Sequence, residues 1–302
     1  MSFKQVIGNE EVKNYIRKNL EQNNILHSYL FLGTEGIGKL LLAKEFAKYI
    51  LCLEEKTENC NCKSCVCYNG NNHPDFSIIN EEGQTIKIEY IRPVVEKIIE
   101  KPIVSNKKVY IINDADKMTE EAQNCLLKTL EEPPEFITII LISSNENLLL
   151  NTIKSRCMKM KFNNIPNKDL YEYAINMIGY DAVSENLLNT FEGSIGKAIR
   201  LKENKEEYLK IDQILEGMEN KDIIEIMQLA NFIYSKERVF EFLEYLNVSL
   251  YSKSKENKRY LNCIKYVNDC IRNLNANGNI DMNIDSLLFN IWEELNEKSN
   301  RC

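Results

Sequence analysis

At 302 residues the chain is too long for one small domain and fits two or three. Its 44% hydrophobic content suffices for ordinary packed cores. A formal net charge of −7 argues against a protein that embraces nucleic acid by itself, because phosphate binding rests on clustered Lys and Arg; a few local DNA contacts stay open. No apolar run approaches the ~18–20 residues of a membrane span. The stretch Met1–Gly8 lacks the apolar segment of a signal peptide, so the expected compartment is the cytoplasm. Ten cysteines in that compartment read as metal ligands or buried thiols rather than disulfides. Cys125, Cys157, Cys263, Cys270 and Cys302 are scattered and read as small apolar fillers or tail.

In chain order, Val12, Tyr15, Ile16 and Leu20 set a helical spacing over 9–24. His27–Leu32 predicts a short buried strand. The loop Gly33-Thr34-Glu35-Gly36-Ile37-Gly38-Lys39-Leu40 follows at once, and Leu41, Ala43, Phe46, Ala47 and Ile50 continue as an amphipathic helix. Strand, Gly-rich loop and helix make the context of a phosphate site. Gly33, Gly36 and Gly38 let backbone N–H groups approach phosphate oxygens, the helix start adds its positive end, and Lys39 supplies a point charge. The bland alternative is a tight turn that merely needs glycines. Leu40 departs from the pattern, which asks for a Ser or Thr hydroxyl on Mg²⁺. Nucleotide can still enter such a loop, with hydrolysis impaired.

Next comes the cluster Cys52, Cys60, Cys62, Cys65 and Cys67. Four thiolates can close a tetrahedral structural zinc site. Cys67 is taken as the spare thiol, with Cys60 the alternative, and unmetallated surface thiols are the competing reading. His73-Pro74-Asp75 opens a strand over Phe76–Ile79, followed by a charged hairpin-like stretch. A helix around Tyr90–Glu100 is predicted to carry Pro93 in its first turn. Lys107–Ile112 is the next strand, ending in Asn113-Asp114-Ala115-Asp116, where such folds hold metal and water. Thr119 reads as the cap of a helix over Glu120–Glu131, stopped by Pro133-Pro134. The β-branched run Phe136–Ile142 suits the centre of a parallel sheet. Ser155-Arg156-Cys157 is read as a turn after a strand. The alternation predicts a doubly wound α/β domain ending near 163. Beyond it, Asp169–Ile178, Ser184–Phe191 and Ser194–Lys202 read as short helices, charges at 202–207 mark a seam, and 208–302 is helical throughout.

Taken together, these motifs resemble the AAA+ clamp-loader family of the bacterial DNA polymerase III, and within it the delta prime branch. The resemblance runs from Phe3 to about Leu201. It is carried by Val6-Ile7-Gly8, His27–Phe31, Gly33–Lys39, the Cys cluster, His73-Pro74-Asp75, Lys108–Met118, Leu126-Leu127-Lys128-Thr129-Leu130-Glu131-Glu132-Pro133, Thr152–Cys157 and Gly193-Ser194. The resemblance implies an α/β P-loop (AAA+) parallel-sheet domain over 1–163 with a zinc insertion at about 52–67. A small helical lid over 164–205 and an all-α collar domain over 206–302 would follow. It implies a role beside gamma/tau ATPase subunits and a delta subunit in a hetero-pentamer that places a sliding clamp on primed DNA. Arg156 would be an arginine finger reaching a neighbour's ATP, Gly33, Gly36, Gly38 and Lys39 a nucleotide loop, and Cys52, Cys60, Cys62 and Cys65 the zinc ligands.

Departures sort the chain within that family. Asn113-Asp114 stands where the ATPase subunits carry Asp-Glu, so Asp114 is a degenerate metal-and-water acid. Gly196, beside Lys197, replaces a lid arginine. With Leu40, three parts of a hydrolytic site are altered, and the chain is expected to hydrolyse ATP weakly or not at all. The family's second zinc ligand would fall at Asn59, one place before Cys60. Two rivals remain: an ATP-hydrolysing gamma/tau-type subunit working through Lys39 and Asp114, and a zinc-dependent nucleic-acid module.

Overall fold

The computed structural model describes residues 3, 5–54, 57, 60–80, 84–178, 193–197, 199, 205–218, 222–229, 231–234 and 238–296. The chain divides into two compact units, Met1–Asp169 with Gly193–Gly196, and Leu170–Glu192 with Lys197–Cys302.

The first unit is built on strands β1 Ser28–Leu32, β2 Phe76–Ile79, β3 Lys108–Ile112, β4 Ile137–Ser143 and β5 Met158–Lys161. They form one sheet in the order β2-β3-β4-β1-β5, and each neighbouring pair is parallel. Its helices are α1 Glu10–Glu21, α2 Lys39–Leu51, α3 Lys63–Asn69, α4 Ile88–Ile98, α5 Glu120–Glu131 and the short α6 Asn151–Lys154. Helix α7, Asn167–Ile178, follows.

The three inner strands β1, β3 and β4 are buried on both faces, and period two sorts their side chains between two cores. Tyr29, Phe31, Val109, Ile111, Ile140 and Ile142 meet Leu42, Phe46 and Ile16 on the α1–α2 face. Leu30, Leu32, Tyr110, Ile112, Ile139 and Leu141 meet Ile91, Leu126 and Leu130 on the α4–α5 face. Truncating one of these fully buried leucines costs about 2–5 kcal/mol. All seven residues of β4 are buried, which matches its central place in the sheet.

Thr119 caps α5 as expected, its hydroxyl accepting from the Ala122 N–H at 3.3 Å. Two expectations need correction, and two elements were not anticipated. Pro93 lies inside α4 rather than in its first turn, because the helix starts at Ile88, right after the bridge between Ile86 and Met118. The missing N–H leaves the Glu89 carbonyl without its helical partner, and both residues are exposed to water that can serve it. Arg156 does not follow a strand; it lies between α6 and β5. β5 itself is a strand the pattern did not announce, since Met160 is its one buried residue. α3, within the cysteine cluster, was also not anticipated. Residues 81–83 of the hairpin-like stretch, the predicted helix 184–191 and much of 194–202 lie outside the described residues.

The second unit contains α8 Lys205–Gly217, α9 Ile223–Leu229, α10 Val239–Ser254, α11 Arg259–Asn275 and α12 Ile280–Asn296. Its interior includes Ile211, Leu215, Phe242, Leu246, Leu250, Val267, Ile284, Leu288 and Ile291. Arg238 lies over the Phe242 ring, 4.8 Å from its centroid, and pairs with Glu207 and Glu241. Among the described residues no helix is long and apolar enough to cross a membrane.

Candidate functional site

The Gly-rich loop leaves the carboxyl end of β1, between β4 and β5, where open parallel sheets place their ligands. Gly38 stands before α2 with φ +93°, so Lys39 is the first helical residue. Lys39 is buried, and its ammonium donates to the carbonyls of its own loop, Gly33 O and Thr34 O, the latter at 2.7 Å. Burial pulls its pKa down to about 8, with Asp114, Asp116 and Glu35 opposing the shift. Leu40 packs partly buried against the α1–α2 core and offers no ligand atom.

The loop is also covered from within its own unit. Thr34 donates from Oγ1 to Asn164 Oδ1 at 2.7 Å, and Gly196 N–H donates to Gly36 O at 2.9 Å. Gly36 has φ +76°, and a Cβ there would lie 2.2 Å from Ser194 Oγ. A Cβ on Gly196 would lie 2.8 Å from Gly36 Cα. No arginine fits at position 196 in this arrangement, which gives a steric reason for that departure.

At the end of β3, Asn113 is tied to the edge strand. Its N–H donates to Ile79 O at 3.0 Å. Its amide donates to Asn80 O, and the Asn80 amide returns the bond to Asn113 O, both at 3.3 Å. Asp114 has a left-handed backbone, φ 48°, and pairs with Lys117 at 3.0 Å. Asp116 accepts from Ser144 N–H at 3.2 Å and from its hydroxyl at 3.0 Å. The acids at this strand end are thus engaged by groups of their own chain.

Arg156 is held firmly by its backbone and loosely by its side chain. Its N–H donates to Ile153 O at 3.0 Å, and its carbonyl accepts from Ser28 Oγ at 2.6 Å. The guanidinium donates from Nη1 to Thr152 O at 2.8 Å and pairs through Nη2 with Glu131 at 2.7 Å. The side chain keeps 33% of its surface, and that of Glu131 keeps 48%. Next to it, Cys157 is buried, and burial pushes its thiol up to about 11.

The cysteines gather as a knot at the far end of α2. Sulfurs of Cys52, Cys60, Cys62 and Cys65 all lie within 4.8 Å of one another, and Cys67 lies outside the group. Bonds of about 2.3 Å from zinc to sulfur would set tetrahedral sulfurs about 3.8 Å apart, and Cys52 and Cys60 are already at 3.6 Å. Cys62 caps α3 and accepts from Cys65 N–H at 3.4 Å. Burial pushes the Cys62 thiol up, but N–H groups of Cys65 and Leu53 and neighbouring thiols outweigh it and bring it to about 7. Burial raises Cys52 to about 11 and pushes Cys65 up as well. The neighbours of Cys62 thus favour its thiolate without a metal, and a divalent cation would favour deprotonation of Cys52 and Cys65 as well. These residues fit a metal ion.

Around the knot lies a buried polar network that sequence reasoning missed. Ser64 and Ser105 both donate to Leu51 O, at 2.7 and 2.8 Å. His73 Nδ1 accepts from Asp75 N–H at 3.1 Å, so Nε2 carries the proton toward Ser64 Oγ at 2.8 Å. The Asp75 carboxylate accepts three N–H groups, from Ile103, Val104 and Ser105, at 2.7–2.8 Å. Glu131 was missed too. It stood within the Leu126–Pro133 motif with no role of its own, and the physical signal was an acid in the last turn of a helix, where the dipole disfavours it.

A family model described as DNA polymerase III, delta subunit, matches residues 8–166. The subunit delta' of DNA polymerase III from Bacillus subtilis is 34% identical over 196 residues, 65% of this chain and 59% of that protein. The subunit tau/gamma from Haemophilus influenzae is 30% identical over 208 residues, 66% of this chain and 30% of the relative. The chain thus spans less than two thirds of the length of these relatives. A DNA polymerase III gamma subunit-related protein from Thermotoga maritima shares the fold, with a TM-score of 0.61 over 94% of this chain and 99% of that one, at 21% identity. With more than half of its length inside that family model, the chain belongs to the DNA polymerase III delta subunit family.

Proposed function

We propose that this chain is a non-motor subunit of a DNA polymerase III clamp loader, a cytoplasmic assembly that places a sliding clamp on primed DNA. Its partners are gamma/tau-type ATPase subunits and a delta subunit. Residues 1–163 form the AAA+ body, 164–205 the lid and 206–302 the collar that joins the complex. Arg156 extends toward the nucleotide of a neighbouring ATPase subunit and stabilises charge on the transferring phosphoryl group.

The contrast between the two cations carries this reading. Lys39 is buried and turned onto Gly33 O and Thr34 O, whereas Arg156 keeps its guanidinium at the surface on a fixed backbone. Leu40, Asn113 and Gly196 each engage the fold where a hydrolytic site needs a hydroxyl, an acid and an arginine. The three glycines and Lys39 can still admit phosphate if the Lys39 ammonium swings off its loop, with no magnesium hydroxyl at Leu40 to organise hydrolysis. A zinc ion in Cys52, Cys60, Cys62 and Cys65 would close the 52–65 loop and supply no reactive group.

Arg156→Ala in the reconstituted complex tests the reading. Assembly should persist while clamp- and DNA-stimulated ATP hydrolysis falls; unchanged hydrolysis would sink the finger role. The gamma/tau-type reading keeps support from the retained loop and from the 30% identity to the Haemophilus influenzae relative. Robust ATP turnover by the purified chain alone would favour it.

A further inference from the structure

We infer that Glu131 is a positioning residue that parks Arg156 in cis, competing with the neighbour's phosphate for the same guanidinium. The inference rests on the reading of Arg156 as a finger. Glu131 is the last residue of α5, where the negative end of the helix disfavours a carboxylate. Pro133 and Pro134 follow and hold the chain there. Leu126 and Leu130 seat the helix in the core, so the carboxylate is presented at a defined place. The Arg156 guanidinium is strung between two helices: Nη2 to Glu131 Oε1 on α5 at 2.7 Å, Nη1 to Thr152 O on α6 at 2.8 Å.

These two holds differ in what they do to an incoming phosphate. Thr152 O is a neutral acceptor that fixes direction. Glu131 is an anion on the very nitrogen edge that would receive another anion, so pairing and repulsion both delay the trans contact. Both side chains remain partly solvated. A pair of this kind biases an equilibrium by up to about fivefold, while a phosphate makes stronger charge-assisted bonds to arginine. The parked state is therefore displaceable by a neighbour's nucleotide and raises the ATP concentration needed to engage the finger. In the absence of that nucleotide it keeps the guanidinium from other anions.

The test uses the full complex with gamma/tau-type subunits, assembled with wild-type chain, Glu131→Gln, Arg156→Ala or both. Glu131→Gln should lower the ATP concentration for half-maximal hydrolysis about two- to fivefold with kcat little changed. The gap should shrink as salt is raised, because the pair is screened. The double variant should match Arg156→Ala. If Arg156→Ala reduces hydrolysis but Glu131→Gln leaves the ATP dependence unchanged or weakens it, the parking role is overturned and the finger stands. The same Glu131→Gln effect in the Arg156→Ala background would also overturn it, since the glutamate would then act independently of the arginine. If Arg156→Ala has no effect, both readings fall together. A thermal melt of Glu131→Gln within a degree or two of wild type shows that the fold is intact.

Discussion

Lys39 and Arg156 are both cations with their donors engaged, yet they occupy opposite situations. Lys39 sits 6% exposed in a loop that closes over it, and both recorded acceptors belong to that loop. Arg156 keeps a third of its side chain exposed and bonds to groups that water can replace. An internal commitment in a buried place resists exchange, since releasing it exposes a desolvated charge. A surface commitment exchanges readily. Under the proposed function, the difference is that between a retained shape and a reactive group, even though the loop carries the stronger sequence motif.

Helix α2 offers the broadest way to test how independent these regions are, because Lys39 starts it and Cys52 follows its last residue. Removing metal by chelation, or by Cys62→Ser, should cost on the order of several kcal/mol of apparent stability and abolish bound zinc. Zinc analysis with thermal melting checks this. The knot fails as a metal site if the purified chain carries no zinc and chelation leaves the melt unchanged.

The buried charge of Lys39 should itself oppose folding at neutral pH. Its folded-state value of about 8 lies below the ordinary 10.5. Between those values the unfolded chain holds more protons, so wild-type stability rises with pH through that window. Lys39→Met should therefore be more stable than wild type at pH 7 by about 1–3 kcal/mol, and the advantage should shrink toward pH 10. Denaturant melts at pH 7, 8.5 and 10 measure it; a constant difference would contradict the buried charge.

In the complex, Arg156→Ala should lower stimulated ATPase activity about tenfold, near 1.4 kcal/mol, while Lys39→Ala changes it by less than about twofold. The reverse order would transfer function to the loop. The smallest effect concerns His73. Burial lowers its pKa, so its contribution is present above the ordinary 6.5 and fades as pH falls below it. His73→Asn should cost about 1 kcal/mol at pH 7 and flatten the loss of stability between pH 6.5 and 5. Equal pH profiles for the two proteins would remove the neutral histidine from the account.

Much of the first unit was legible because β1, β3 and β4 are short, apolar and followed by punctuation. β1, β3 and β4 lie within a residue of their sequence readings. β5 was not legible, since an edge strand with one buried residue has almost no hydrophobic period. Pro93 misled because a proline signals a helix start, yet on an exposed face it also survives inside one. The four thiols could be grouped from spacing, but the Ser64–His73–Asp75 network around them could not, because its members are joined through backbone atoms of Leu51 and residues 103–105. Glu131 belonged to a recognised motif, but its tie to Arg156 had only the faint physical signal of an acid at the wrong end of a helix.

The sequence by itself determined the alternation of strands and helices, the loop with its lysine, the missing hydroxyl at Leu40 and the thiol cluster, because each depends on residues close in the chain. Only the tertiary structure decided that Gly196 is closed against Gly36, that Asn113 answers to Asn80 and that Arg156 answers to Glu131. Those pairings span 25 to 160 residues of chain, and their partners are chosen by how the sheet and its helices pack. A residue type names what a group can do; the packing names what it is already doing.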